Sequence, residues 1–215
     1  MNVTELQLRK QTIATALRMN ALGINRGKSG NVSARWKDGF LVTPSGLPYE
    51  ETEPGDIVFI DAKAKAKGKR PPSSEWRFHF DLHQHKSEVN AVVHTHSSFA
   101  TTLACLEMAV PAFHYMVAVA GGNSIRCAPY ATFGTQSLSD NALIALEDRK
   151  ACLLANHGMI ATAGSLESAL ALAVEVEALC EQYWRALQIG KPNLLADAEM
   201  AVVVEKFKTY NAQAC

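Results

Sequence analysis

Apolar residues recur at helical spacing near the start of the chain, at Leu6, Ile13 and Leu17. Thr4-Glu5-Leu6-Gln7 has the form of a capping box and Gly23 supplies a stop, so the pattern predicts an amphipathic opening helix. The period then changes. After the small, polar loop 27–31 the chain reads as a hairpin, 32–36 and 40–43 joined at Lys37-Asp38-Gly39. A tight loop, Thr43-Pro44-Ser45-Gly46, and a third strand at 57–60 follow. Short turns between strands predict antiparallel pairing. Lys63, Lys65, Lys67, Lys69 and Arg70 are read as a soluble edge strand or hairpin tip, because no aromatic residue is interleaved with them as nucleic-acid binding would want. With Ser73 or Ser74 as cap, 75–86 forms a helix. A buried strand ends at 91–93, and a helix follows at 98–106. A short strand is predicted at 127–130, a helix from Ser139 to about 147, and a buried strand at 152–155. Ser165 opens a long helix with a stripe of Leu172, Val176, Leu179 and Tyr183, ended by Gly190 and Pro192. A last helix at 198–208 leaves Tyr210 on a short tail. No repeat is visible, and the order of elements predicts a sheet flanked by helices, an α/β or α+β sandwich.

Composition narrows the function classes. At 215 residues and 48% hydrophobic, the chain suits one domain, 1–215, with a sizeable core. Lys plus Arg equals Asp plus Glu at 21 each, so no global field recruits nucleic acid or an anionic membrane, and an anionic ligand must be held locally. Five cysteines, scattered and without Cys-x-x-Cys spacing, fit free thiols in a reducing compartment, and no apolar run has signal-peptide or membrane-spanning length. The expectation is a cytoplasmic protein.

The chemistry concentrates at His94-Thr95-His96. Alternate side chains of a strand share a face, so both imidazoles address one point and make half of a metal site. Two residues are candidates to complete it: Glu75 in Pro72-Ser73-Ser74-Glu75, and His157 in Asn156-His157-Gly158. A rival site lies on the 75–86 helix, where Glu75, His79 and His83 fall at i, i+4 and i+8 on one face. Against the rival, Trp76, Phe78, Phe80 and Leu82 make that helix largely buried, where His79 serves as a hydrogen-bonded core histidine.

Ser29-Gly30-Asn31-Val32-Ser33, Thr43-Pro44-Ser45-Gly46, Pro72-Ser73-Ser74-Glu75, His94-Thr95-His96 and Asn156-His157-Gly158 together resemble the class II aldolase and adducin family. His114-Tyr115-Met116, Gly121-Gly122-Asn123-Ser124-Ile125, the stretch 128–135 and the closing 205–210 are similar to the branch that cleaves L-fuculose 1-phosphate. The resemblance implies a three-layer α/β/α sandwich with a central, mainly antiparallel sheet. It also implies a homotetramer with active sites between subunits, and Zn2+ held by His94, His96 and His157, with Glu75 as a ligand of the resting metal. Glu75 then moves the proton at C3 of a ketose 1-phosphate, and Tyr115, from a neighbouring subunit, moves the one at the C4 oxygen. Gly30, Asn31, Ser45, Gly46, Ser73 and Ser74 lie in three loops whose donors, with a helix start, suit the phosphate. Phe133 and Tyr210 match positions lining the aldehyde pocket.

The products expected are dihydroxyacetone phosphate and a short aldehyde. L-Fuculose 1-phosphate, giving L-lactaldehyde, leads, with 5-deoxyribulose and 5-methylthioribulose 1-phosphates beside it. On the same fold the alternatives are a sugar-phosphate 4-epimerase, a methylthioribulose-1-phosphate dehydratase and a metal-free adducin-like module. Retention of Glu75 and all three histidines argues against the last.

Overall fold

The computed structural model describes the backbone of residues 3–213 and side chains through Lys208. An eight-stranded sheet organises it: β1 (Asn31–Trp36), β2 (Gly39–Val42), β3 (Val58–Asp61), β4 (Ala66–Lys67), β5 (Ala91–Thr95), β6 (Arg126–Ala128), β7 (Ala151–Leu154) and β8 (Gly158–Ala163). The order is β4-β3-β2-β1-β5-β8-β7-β6, and every pairing is antiparallel except β6 with β7. Six helices cover it: α1 (Glu5–Ala21), α2 (Trp76–His85), α3 (Ser98–Ala104), α4 (Gln136–Ala145), α5 (Leu166–Ile189) and α6 (Asp197–Gln213).

Strand alternation splits the core into two faces. Ala91 and Val93 of β5, with Val32, Leu153 and Ala161, join the larger cluster under α1, α3 and α5. Val92, with Cys152, Leu154 and Ile160, packs on Phe78 and Leu82 of α2 and Leu138 and Ala142 of α4. A satellite cluster sets Phe40, Val42, Val58 and Ile60 against Trp76 and Phe80. This is the three-layer α/β/α sandwich with a mainly antiparallel sheet that the resemblance implies.

The Thr4/Gln7 capping box opens α1 as the sequence predicts, and β4 lies at the sheet edge with Lys67 on Asp61 and Lys69 and Arg70 on Asp56. Four details differ from the sequence reading. Helix α4 begins at Gln136 because Thr135 caps it, its hydroxyl accepting from the Leu138 N–H. Ser139 sits inside the helix and donates to Asp81 at 2.6 Å. Helix α2 begins one residue later than predicted, with Glu75 at its N-cap position but making no capping bond. Strand β8 pairs with β5 and β7 at a place where the sequence carries only a short mixed run. Helix α6 continues to Gln213 instead of leaving a tail after Lys208, and the Tyr210 side chain lies outside those described.

Candidate active site

Three separate stretches deliver four side chains to one point. His94 lies in β5 and points to the α2 side of the sheet, meeting the Phe78 ring edge-on at 5.4 Å between centroids. His96 follows two residues later, in the turn into α3. His157 comes from the β7–β8 hairpin, a tight connection in which Asn156 takes a left-handed φ of 54°. Asn enters that region more readily than most residues with a Cβ. Gly158, next in line, is needed for close approach: a Cβ there would stand 2.4 Å from the Thr95 carbonyl oxygen and 2.9 Å from His96 Cδ2. Any side chain would push the hairpin, and His157 with it, away from β5.

Glu75 enters from the opposite side, at the start of α2. Ser73 shapes that entry, its hydroxyl accepting from Glu75 N–H and its carbonyl from Trp76 N–H. The carboxylate turns away from the helix end toward the histidines, with Oε2 3.1 Å from His94 Nε2 and Oε1 3.0 Å from His157 Nε2. His94 Nε2 and His96 Nε2 stand 2.9 Å apart, and the ligand atoms of all four residues lie within 4.8 Å of one another. His94 Nδ1 is 2.9 Å from the Met159 carbonyl, to which it donates, so its Nε2 lone pair faces the cluster.

The electrostatics fit a cation. Glu75 is 5% exposed; burial pushes its carboxyl up, but positive charge at His94 and His157 more than offsets this and holds it well below the usual carboxylate range, the effect a cation among neutral rings would have in its place. His96 is pushed down to about 4, first by burial and then by His94 and His157, so it is a neutral ring with a lone pair to give at pH 7. Glu75 Oε1 has no aligned hydrogen-bond donor although it is buried and close to His157. Converging lone pairs and an orphaned carboxylate oxygen are costly without a positive charge between them, and a divalent metal supplies it. The rival set on α2 is not assembled. His79 and His83 are buried beside Asn31 and Ser33, and neither belongs to the group of ligand atoms around Glu75.

Residues 10–184 match the Class II Aldolase and Adducin N-terminal domain. The chain belongs to the class II aldolase and adducin family. Among family members, a 5-methylthioribulose-1-phosphate/5-deoxyribulose-1-phosphate aldolase of Rhodospirillum rubrum is 57% identical over 98% of this chain and 96% of its own. An L-fuculose phosphate aldolase of Escherichia coli is 52% identical over 95% of each chain. The solved structure of an L-fuculose 1-phosphate aldolase superposes with a TM-score of 0.92 at 39% identity, covering 97% of this chain and 98% of that one. Class II aldolases are metal-dependent lyases, in keeping with the Glu/His cluster.

Of the other residues singled out from sequence, the three small-residue loops lie side by side. Ser45 N–H bonds the Pro71 carbonyl, Ser73 N–H bonds that of Thr43, and Lys28 Nζ reaches the Gly46 carbonyl at 2.7 Å. Gly30 is pinned by Tyr49, whose hydroxyl donates to its carbonyl, and a Cβ on it would meet the His94 carbonyl at 2.6 Å. Ser45, Gly46 and Ser74 are exposed, whereas both ends of the Asn31 amide are engaged, Nδ2 on Glu75 and Oδ1 on His79. Tyr115 is 51% exposed, with its ring against His114 and Phe207 and none of the four cluster residues, and Phe133 is 64% exposed. Sequence reasoning missed Gly158, Ser33 and the Met159 carbonyl as parts of this site. For Ser33 a signal existed, since it shares a strand face with Asn31.

Proposed function

We propose that this chain is a zinc-dependent ketose-1-phosphate aldolase that reversibly cleaves the bond between C3 and C4 to give dihydroxyacetone phosphate and a short aldehyde. One observation carries the reading: a buried carboxylate and three imidazoles converge in a chain whose relatives of over 50% identity are named aldolases of ketose 1-phosphates. His94, His96 and His157, with Glu75 in the resting state, would hold the ion, and an N3O set suits zinc. When bound, zinc supplies a Lewis acid against the negative charge that develops on the C2 and C3 oxygens, worth several kcal/mol.

The chain's own groups do the rest. In cleavage Glu75 delivers a proton to C3, and in synthesis it removes one, acting as a positioned acid and base. Gly30, Asn31, Ser45, Gly46, Ser73 and Ser74 surround the phosphate in this reading; the adjacency of their loops supports it, and the beginning of α2 adds its positive end. The Asn31 side-chain amide is engaged by Glu75 and His79. Tyr115 exchanges the proton at the C4 oxygen. Its exposure and its lack of contact with the cluster suit a residue that serves the site of a neighbouring copy in a homotetramer. Phe133, exposed on its own chain, and Tyr210 line the aldehyde side. A cytoplasmic enzyme is consistent with free cysteines among the described residues and with the lack there of any helix long and apolar enough to cross a membrane.

The substrates in the relatives' names share a feature. Cleaved between C3 and C4, L-fuculose, 5-deoxyribulose and 5-methylthioribulose 1-phosphates yield lactaldehyde, acetaldehyde and methylthioacetaldehyde, each a short aldehyde with an apolar end. The proposed pocket therefore rewards a terminal methyl or methylthio group. Measuring kcat/KM for the three phosphates with a coupled readout of dihydroxyacetone phosphate tests this. We expect turnover of at least one, dependent on added zinc after chelation; no dihydroxyacetone phosphate from any of them with zinc restored would overturn the assignment.

A further inference from the structure

Between α2 and the sheet lies a row of buried polar groups that do not belong to the ligand cluster. Asn31 and Ser33 are two apart in β1 and share a face; His79 and His83 are four apart on α2 and share a face. The two spacings mesh into a chain. Asn31 Nδ2 is 2.9 Å from Glu75 Oε2, and Asn31 Oδ1 is 2.5 Å from His79 Nε2. His79 Nδ1 is 2.7 Å from Ser33 Oγ, Ser33 Oγ is 2.9 Å from His83 Nε2, and His83 Nδ1 is 3.3 Å from the Val89 carbonyl. All four side chains are buried, with His79 and Ser33 fully so.

Counting protons assigns a direction. A carboxylate poised to ligate a metal is an acceptor only, so Asn31 must turn its NH2 to Glu75 and its carbonyl to His79. His79 must then carry its hydrogen on Nε2, which leaves Nδ1, in a neutral ring, to accept from the Ser33 hydroxyl. Having spent its hydrogen there, Ser33 Oγ accepts from His83 Nε2–H. The bare Nδ1 of His83 is left facing the Val89 carbonyl across the longest gap of the row. Burial favours the neutral form of both rings, with His83 pushed down to about 3 by burial and by Arg35. The opposite polarity requires Asn31 to be turned over and Glu75 to be a protonated acid.

We propose that His83, Ser33, His79 and Asn31 form a single-direction hydrogen-bond chain whose donors all point toward Glu75, and that they are positioning residues. They lock the Asn31 amide nitrogen onto Oε2 and so hold Glu75 as an aimed carboxylate. The chain uses Oε2 and leaves Oε1, the oxygen without an aligned donor, for metal or proton. The role in turnover rests on the aldolase reading above; the polarity does not.

The test has two arms. In the first, long-range 1H–15N spectra of histidine-labelled, metal-free protein report which ring nitrogen carries the hydrogen. We expect Nε2–H for His79 and His83. In Ser33→Ala, His83 has lost its acceptor and should turn its hydrogen to Nδ1, toward Val89. In the second arm, Ser33→Ala should lower kcat roughly 10–100-fold, the usual scale for a partner that orients an active group, with KM unchanged, and Ser33→Thr should restore much of the loss. A wild-type His79 protonated on Nδ1 would overturn the polarity even if Ser33→Ala did not fold. Wild-type kcat in a folded Ser33→Ala would overturn the positioning role. Should the wild type turn over none of the three ketose phosphates, the aldolase reading fails while the tautomer spectra still decide the chain's direction.

Discussion

At the scale of single residues, the choice between two metal sites turns on one side chain, Glu75, which both sets share. The strand set has its ligand atoms gathered within 4.8 Å, whereas His79 and His83 spend their nitrogens on Asn31 and Ser33. His94→Ala, His96→Ala and His157→Ala should therefore lose stoichiometric zinc on dialysis, measured by elemental analysis, while His83→Ala keeps it. Loss of zinc from His83→Ala with retention in His157→Ala would move the site to α2. The pair His94 and His96 was legible because a strand's period of two fixes a shared face. The decision for His157 over His83 was not legible from spacing. It depends on the register that sets Asn31 opposite His94 and on a hairpin packed so close to β5 that a Cβ on Gly158 would stand 2.4 Å from the Thr95 carbonyl oxygen. The burial of the α2 helix argued against the rival, and the resemblance of motifs named His157.

At the scale of elements, α2 carries two neutral histidines into the core, and this ties folding to pH. An ordinary histidine has a pKa near 6.5 in the unfolded chain. In the folded protein burial holds His79 well below that and His83 at about 3, so between pH 6.5 and 4 the unfolded state binds more protons than the native one. Stability must then fall as pH falls through this window. From pH 7 to 5 His83 alone should cost roughly 1–2 kcal/mol in the metal-free protein, measured by urea titration, with His79 acting in the same direction, and His83→Gln should flatten the slope. Equal stability at the two pH values would mean that the rings are charged in the native state. Helix boundaries were legible where the cap is local, as at Thr4 and Ser165, and less so where it is not. The first turn of α3 is capped from afar by Glu177 of α5, whose carboxylate accepts from Phe99 and Ala100 N–H at 2.8 Å each. At α4 the sequence points to Ser139 as the cap, but Ser139 lies inside the helix against Asp81 and Thr135 makes the capping bond.

At the scale of the whole molecule, the sandwich brings Glu75, His94, His96 and His157 together from three separate stretches of the chain, beside three adjoining small-residue loops. The alternation of buried and exposed strands, the helix stripes and the motif order made this architecture legible. The short strand β8 was not, because Gly158-Met159-Ile160-Ala161 fits helix or strand equally well until β5 and β7 are beside it. In the proposed division of labour, Glu75 and a bound metal would work at C3, and Tyr115 of a neighbouring copy would serve the aldehyde oxygen. Enolisation needs the first group alone, whereas carbon-carbon bond making or breaking needs both. The most direct measurement follows the C3 proton of dihydroxyacetone phosphate by NMR in D2O with zinc-loaded protein, beside a cleavage assay on the same samples. The account predicts exchange in the wild type and in Tyr115→Phe, with cleavage collapsed in the latter, and exchange slowed by roughly two to four orders of magnitude in Glu75→Gln. Wild-type exchange in Glu75→Gln would contradict it.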